Sequence, residues 1–172
     1  PLRGLIHGGP GTGKSEVLKW IIRMFEEALK WEHGKQFICV AFQNRMAAAI
    51  KGTTLHHGAN LPRPGSNDNN LSHSDVENLY TQNQSMRWVL VDEISMVSDD
   101  LFGSFEEAFT TAASVNQYRK RSHNKSLRII GGYNLLVFGD WWQLPPIPSS
   151  HALFQPTTPN VKKTETQRTV LN

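Results

Sequence analysis

Eight consecutive residues, Gly8-Gly9-Pro10-Gly11-Thr12-Gly13-Lys14-Ser15, fit the spacing G-x-x-x-x-G-K-[ST]. Glycines at this spacing let the backbone wrap closely round a phosphate with its N–H groups pointing inward. A helix opening at Lys14 adds the partial positive charge of its N-terminus. In such a loop Lys14 reaches the β- and γ-phosphates and the Ser15 hydroxyl ligates Mg²⁺, so a phosphate-bearing ligand with Mg²⁺ is expected. A second constellation is the run Trp88-Val89-Leu90-Val91, which ends in the paired carboxylates Asp92-Glu93. Asp92 stands where phosphate-loop enzymes carry a carboxylate for Mg²⁺, directly or through water. Glu93 would then face the γ-phosphate and polarise the attacking water. Adjacent carboxylates repel, and a cation between them and a phosphate relieves the repulsion. A third run, Leu135 to Phe138, ends in Gly139-Asp140 and leads into Trp141-Trp142-Gln143-Leu144-Pro145-Pro146. The Gln143 amide can donate to a γ-phosphate oxygen and accept from water. The proline pair stiffens the exit.

Short apolar runs alternating with helical patterns must position these groups. Leu5-Ile6-His7 predicts a buried strand leading straight into the glycines. Ser15 to Lys30 predicts a helix with Val17, Ile21, Met24, Phe25 and Ala28 on its apolar face and Gly34 as its stop. Phe37 to Phe42 is continuously apolar, the pattern of a strand buried on both faces. Arg45 to Ile50 reads as helix, and 59–75 as a polar loop rich in Pro, Gly and Asn. Ser74 and Glu77 have capping-box spacing. Ser98 caps a helix carrying Leu101, Phe105, Ala108 and Ala112, and Gln117 to Arg128 is a basic loop. Strands alternating with helices predict an α/β fold with a mostly parallel sheet flanked by helices, and ligands at the strands' carboxyl ends.

Composition narrows the class. The 172 residues suit one domain over 1–172. With the 13 glycines the apolar share reaches about 45%, near the globular average. A net charge of +3 permits a nucleic-acid partner without arguing for one. The single cysteine, Cys39, rules out a disulfide scaffold and reads as a small core residue. No apolar run approaches the ~20 residues of a membrane span. The start at Pro1 without a signal segment reads as a piece of a longer intracellular protein.

GGPGTGKS, then VDEISM, then GGYNLLVFGDWWQLPPI, in this order, resembles the first RecA-like domain of superfamily 1 DNA helicases. The branch it is most similar to is the petite-integration-frequency (Pif) helicases, relatives of RecD. AFQNRMAAAIKGTTLHHG, residues 41–58, is similar to that branch's motif Ia and the Gly-x-Thr-x-His stretch after it. The resemblance runs from about Gly4 to Pro148 and implies a RecA-like phosphate-loop ATPase fold. It implies ATP hydrolysis coupled to 5′-to-3′ movement on single-stranded DNA, with genome maintenance, repair, recombination and telomere control among the family's settings. It places phosphate and Mg²⁺ on Lys14 and Ser15, Mg²⁺ on Asp92, the catalytic base at Glu93 and the γ-phosphate sensor at Gln143. Phe42, Thr53, Thr54 and His56 become candidate DNA contacts. Thr164-Glu165-Thr166-Gln167-Arg168 is similar to the family's motif IV, which gives Arg168 a reach to the γ-phosphate. ATP in such enzymes lies between two RecA-like domains, so a second domain is an implied partner and this chain alone would turn over weakly or not at all. In a eukaryote the implied compartment is nucleus or mitochondrion. Asn44-Arg45 stands where the family carries Thr/Ser-Gly.

Two other readings stay open at this level: another phosphate-loop ATPase, such as a packaging motor or clamp-loader-type switch, and a truncated remnant that binds nucleotide or DNA without turnover. His56 and His57 are adjacent and point different ways, which makes a poor metal pair. Arg119-Lys120-Arg121 with Lys125 and Arg128 is a solvated loop or a contact to DNA phosphates. Of Trp141 and Trp142, one reads as packed under its loop and the other as a candidate base-stacking surface.

Overall fold

The computed structural model of the chain describes residues 1–61, 73–114, 128–140 and 142. Among the described residues five strands form one sheet: β1 (Arg3–His7), β2 (Phe37–Ala41), β3 (Thr53–Thr54), β4 (Trp88–Asp92) and β5 (Asn134–Gly139). Their order is β1-β5-β4-β2-β3 and every pairing is parallel. Registers such as His7 with Gly139 and Ala41 with Asp92 bring the carboxyl ends of four strands to one edge. The expected α/β class with a parallel sheet is what the chain adopts.

β2 is buried at all five positions, as its unbroken apolar run predicts. β1 departs from the expectation of a buried strand. It is the outermost strand among the described residues, its exposure alternates, and Leu5 is 46% exposed. An edge strand covered on one face needs only alternate apolar residues, and Arg3-Gly4-Leu5-Ile6-His7 supplies no more.

Helix α1 (Lys14–Arg23) continues as a π-turn over Met24–Ala28. Of its predicted apolar face Phe25 is buried and Ile21 packs against the core, but the rest of the core face is shifted. Leu18, Ile22 and Phe25 are buried, whereas Val17 is 44% and Met24 50% exposed. The helix carries two adjacent apolar faces, and the sheet takes the one that meets Phe37, Cys39 and Phe138. The helix also ends earlier than Gly34. Lys30 turns left-handed at φ 55° while the Trp31 amide donates to the Phe25 carbonyl at 2.9 Å.

Between the helix and β2, the Cys39 amide of the fully buried strand donates to His33 Nε2 at 3.0 Å. Burial holds the half-buried His33 below the ordinary imidazole range, against the pull of Glu26. The unfolded chain therefore binds this proton more readily than the folded one. Stability should be full above about pH 6.5, the unfolded value, and fall as pH drops toward the folded value. Urea midpoints measured from pH 7 to 5 should show this limb, and His33→Gln should flatten it. The Cys39 thiol, pushed far up by the same burial, should resist alkylation until the chain unfolds.

Short helices α2 (Asn44–Ala49) and α3 (Leu55–Gly58) bracket β3. Gly52 between them is required by close approach: a Cβ there would lie 2.4 Å from the Cys39 carbonyl oxygen. Backbone of a central strand cannot yield, so Gly52→Ala should cost about 2–3 kcal/mol, read as a lowered urea midpoint at unchanged slope.

Helix α4 spans His73–Gln82, so Ser74 lies inside the helix rather than ahead of it, and the expected capping box is not its start. Glu77 sits instead one turn from His73, whose Nδ1 is 3.8 Å from its carboxylate. Helix α5 (Asp99–Ser114) begins as predicted, with Ser98 Oγ accepting from the Leu101 amide at 3.2 Å. Phe105, Ala108 and Ala112 are buried as expected. Phe102 and Phe109 join them, and the Phe109 ring meets Tyr133 edge-on at 5.9 Å. The turn before β5 is pinned to α5. Glu106 Oε1 accepts from the Ile130 amide and Thr110 Oγ1 from the Gly131 amide, both at 2.9 Å.

Candidate nucleotide site and groove

The loop from Gly8 to Gly13 leaves the carboxyl end of β1 and enters α1, with Lys14 and Ser15 as the helix's first two residues. Gly11 (φ 72°) and Gly13 (φ 90°) adopt left-handed backbone, which only glycine takes without strain. Thr12 closes the turn, its Oγ1 donating to the Gly9 carbonyl at 2.9 Å. The first amides of α1 have no partner within the helix. Lys14 Nζ folds back over the loop, donating to the carbonyls of Gly8 (2.6 Å) and Gly9 (2.9 Å). Ser15 is exposed at the loop's mouth.

The carboxylates come from two neighbouring strands. Asp92 ends β4 and is buried; burial raises its carboxyl, while the Glu93 amide at 3.0 Å and the Lys14 charge pull it down. Glu93 is left-handed (φ 52°, ψ 48°), which turns the chain sharply into a 3₁₀ turn over Ile94–Met96. Its carboxyl is raised by burial, then by Asp92 and Asp140, against the pull of Lys14. Asp140, one residue past β5, is fully buried; its Oδ1 accepts from the Trp142 amide at 3.0 Å. Glu93 Oε2 and Asp140 Oδ2 are buried without a hydrogen-bond partner. Asp92 and Glu93 thus face the Lys14 ammonium at the strand ends, with Asp140 close enough to act on Glu93. Among the described residues no three His, Cys, Asp or Glu side chains form a metal cage. The donor set fits Mg²⁺, which takes one or two protein ligands and completes its shell with phosphate and water.

A groove of about 650 Å³ lies between α2 and α3. Asn44, Ala47, Thr53, Thr54, His56 and His57 line it. Thr54 Oγ1 also caps α3, accepting from the His57 amide at 3.3 Å. The structure therefore brings Thr53, Thr54 and His56 together. Phe42 does not line the groove; it is half-buried and packs against the core. Trp142 is 88% exposed. Gln143, Trp141, Arg168 and the basic loop from Gln117 to Lys125 lie outside the described residues. Asp140 received no role from the sequence reading. Its signal was an acid placed just past β5, as Glu93 is just past β4.

A family profile described as AAA domain matches residues 3–149. Over 147 residues the chain is 32% identical to the ATP-dependent DNA helicase PIF1 of Emericella nidulans, covering 84% of this chain and 18% of that protein. The chain belongs to the Pif1 helicase family. Against the ATP-dependent DNA helicase RRM3 of Saccharomyces cerevisiae the identity is 28% over 151 residues, covering 81% and 18% of the two. The crystal structure of a Bacteroides Pif1 helicase in complex with ADP-AlF3 and ssDNA matches with a TM-score of 0.60 at 25% identity, over 87% of this chain and 30% of that one. The Pif1-type first RecA-like domain is therefore what these strands and helices build. The chain spans about a fifth of the length of the curated relatives it matches, at 18% for both. Among the described residues no helix is long and apolar enough to cross a membrane.

Proposed function

We propose that the chain is the ATP-binding motor domain of a DNA helicase, coupling hydrolysis to 5′-to-3′ movement on single-stranded DNA. One observation carries this reading: the phosphate loop and the carboxylates of β4 and β5 converge at one sheet edge, in a Pif1-type fold. Gly8 to Gly13 wrap the phosphates, and Lys14 exchanges its two loop carbonyls for β- and γ-phosphate oxygens. Ser15 and Asp92 hold Mg²⁺, which when bound offsets phosphate charge. Glu93, raised above the usual carboxylate range, accepts the proton of the attacking water. Gln143 senses the γ-phosphate. Thr53, Thr54 and His56 contact the DNA in the groove beside α2, with Phe42 behind them. A second RecA-like domain, with Arg168 or an arginine of its own, supplies the charge that in related systems is worth 10³–10⁵ in rate. This chain alone should therefore turn over slowly. An intracellular setting, nuclear or mitochondrial in a eukaryote, belongs to the same proposal, as do roles in genome maintenance.

The test is ATP hydrolysis by this chain joined to a second RecA-like domain, with and without oligothymidylate. A rate that climbs with added oligonucleotide is the expected result. Hydrolysis indifferent to DNA would reassign the site to a nucleotide switch of another kind.

A further inference from the structure

The second apolar face of α1, left over by the sheet, has a use. Trp20 on this face is 65% exposed, between exposed Val17 and Met24. The Arg23 guanidinium lies 5.3 Å from the centre of its ring. Trp20 and Arg23 line one wall of a groove of about 370 Å³ whose other wall is the carboxyl end of α2. Charged residues in the lining are Lys19, Arg23 and Lys51 against Glu16 and Glu26. Lys19 is already paired with Glu16 at 2.7 Å, which leaves Arg23 and Lys51 against Glu26 and a cationic balance.

The two grooves meet at one place. Ala48 and Gly52 line the Thr53–His56 groove, while Ala49 and Lys51 line the one beside Trp20. The carboxyl end of α2 is their shared rim. We infer that single-stranded nucleic acid seated in the first groove continues round this rim, stacking a base on Trp20 with Arg23 and Lys51 holding the flanking phosphates. The inference rests on the DNA-binding reading above and extends it to a second contact surface. An exposed indole stacks any base, so the contact is indifferent to sequence. The two cations contribute through phosphate and are salt-sensitive. The apolar part is a single narrow stripe bordered by charge, which suits a polyanion with flat bases better than a protein face.

Fluorescence anisotropy on the 172-residue chain, with labelled oligothymidylates of about 5 and about 12 nucleotides, separates the possibilities. The longer oligomer should bind more tightly than the shorter. Trp20→Ala should weaken the longer by about 5-fold or more and leave the shorter unchanged, since a stacked base contributes ~1–3 kcal/mol. Trp20→Phe should restore most of the loss. Arg23→Gln with Lys51→Gln should lower the log–log salt slope for the longer oligomer by about 1.4. Equal loss for both lengths, or no loss for either, would overturn the inference while leaving the first groove as the DNA site. Failure of the unaltered chain to bind either length would overturn the DNA-binding reading itself. A concentration-dependent dimer abolished by Trp20→Ala in sedimentation would assign the face to a second copy of the chain and also overturn it. Because Trp20 is exposed, its variants should keep the parent's thermal midpoint, checked by circular dichroism.

Discussion

Lys14→Ala is expected to remove Mg-ATP binding, measured by titration with a fluorescent nucleotide. The side chain is the one cation facing Asp92 and Glu93 from the loop, and it lowers the proton affinity of both. Without it, incoming phosphates meet Asp92 and Glu93 without the loop's ammonium between. Two hydrogen bonds to charged oxygens, at ~1.5–3 kcal/mol each, amount to a loss of roughly a hundredfold or more in affinity. The empty protein loses the contacts to the Gly8 and Gly9 carbonyls and the charge that holds the Asp92 and Glu93 carboxyls down. Undiminished binding in the variant would place the nucleotide elsewhere.

The second large effect is at Glu93. Glu93→Gln should retain ATP binding and cut hydrolysis by about 10²–10⁴, the usual worth of a positioned base. Glu93→Gly should lose activity equally but gain stability of about 1 kcal/mol, because the left-handed backbone at φ 52° strains any other residue. Together the two variants separate chemistry from strain. The pH dependence follows from the same carboxyl. Asp92 and Glu93 are both raised in the folded chain, so the fold binds more protons than the unfolded chain above about pH 4. The contribution of this pair, opposite in sign to that of His33, should therefore decline as pH rises from about 4 through the raised folded values, and the difference between the parent chain and Glu93→Gln isolates it. A profile unaltered by the substitution would show that Glu93 is not held in this way.

Much of this site was legible from spacing, because phosphate contact and strand burial each constrain residue type locally. Glycines at 11 and 13 are demanded by positive φ, and the apolar runs before Asp92 and Asp140 are demanded by burial on both faces. Ser98 was readable for the same reason: a cap satisfies amides within its own turn. Tertiary choices were not readable. α1 offers two apolar faces of similar strength, and only the shape of the sheet selects Leu18, Ile22 and Phe25 over Val17 and Met24. The place of β1 at the edge depends on which partner it takes, and its partner is the last strand. Phe42 shows the same limit. It directly follows β2, yet it is half-buried against the core and does not line the groove with Thr53 and His56. Asp140 carries the same signal as Glu93, an acid just past a buried strand, but its place beside Glu93 is set only by the pairing of β4 with β5.

The pairing of β1 with β5 has a consequence for how the chain assembles. The contact from the Leu2 amide to the Asn134 side chain spans 132 positions, and Arg3 registers with Leu135. Closing so long a loop costs entropy that no local contact repays, so this pairing belongs late in folding, after β2 and β4 have joined β5. The phosphate loop hangs from β1, and its first amide, Gly8, donates to Gly139 at the far end of β5. The competence to hold a nucleotide is thus the last thing the fold acquires and the first it surrenders. On the proposed reading, ATP would bind only once this pairing is complete and would then stabilise it.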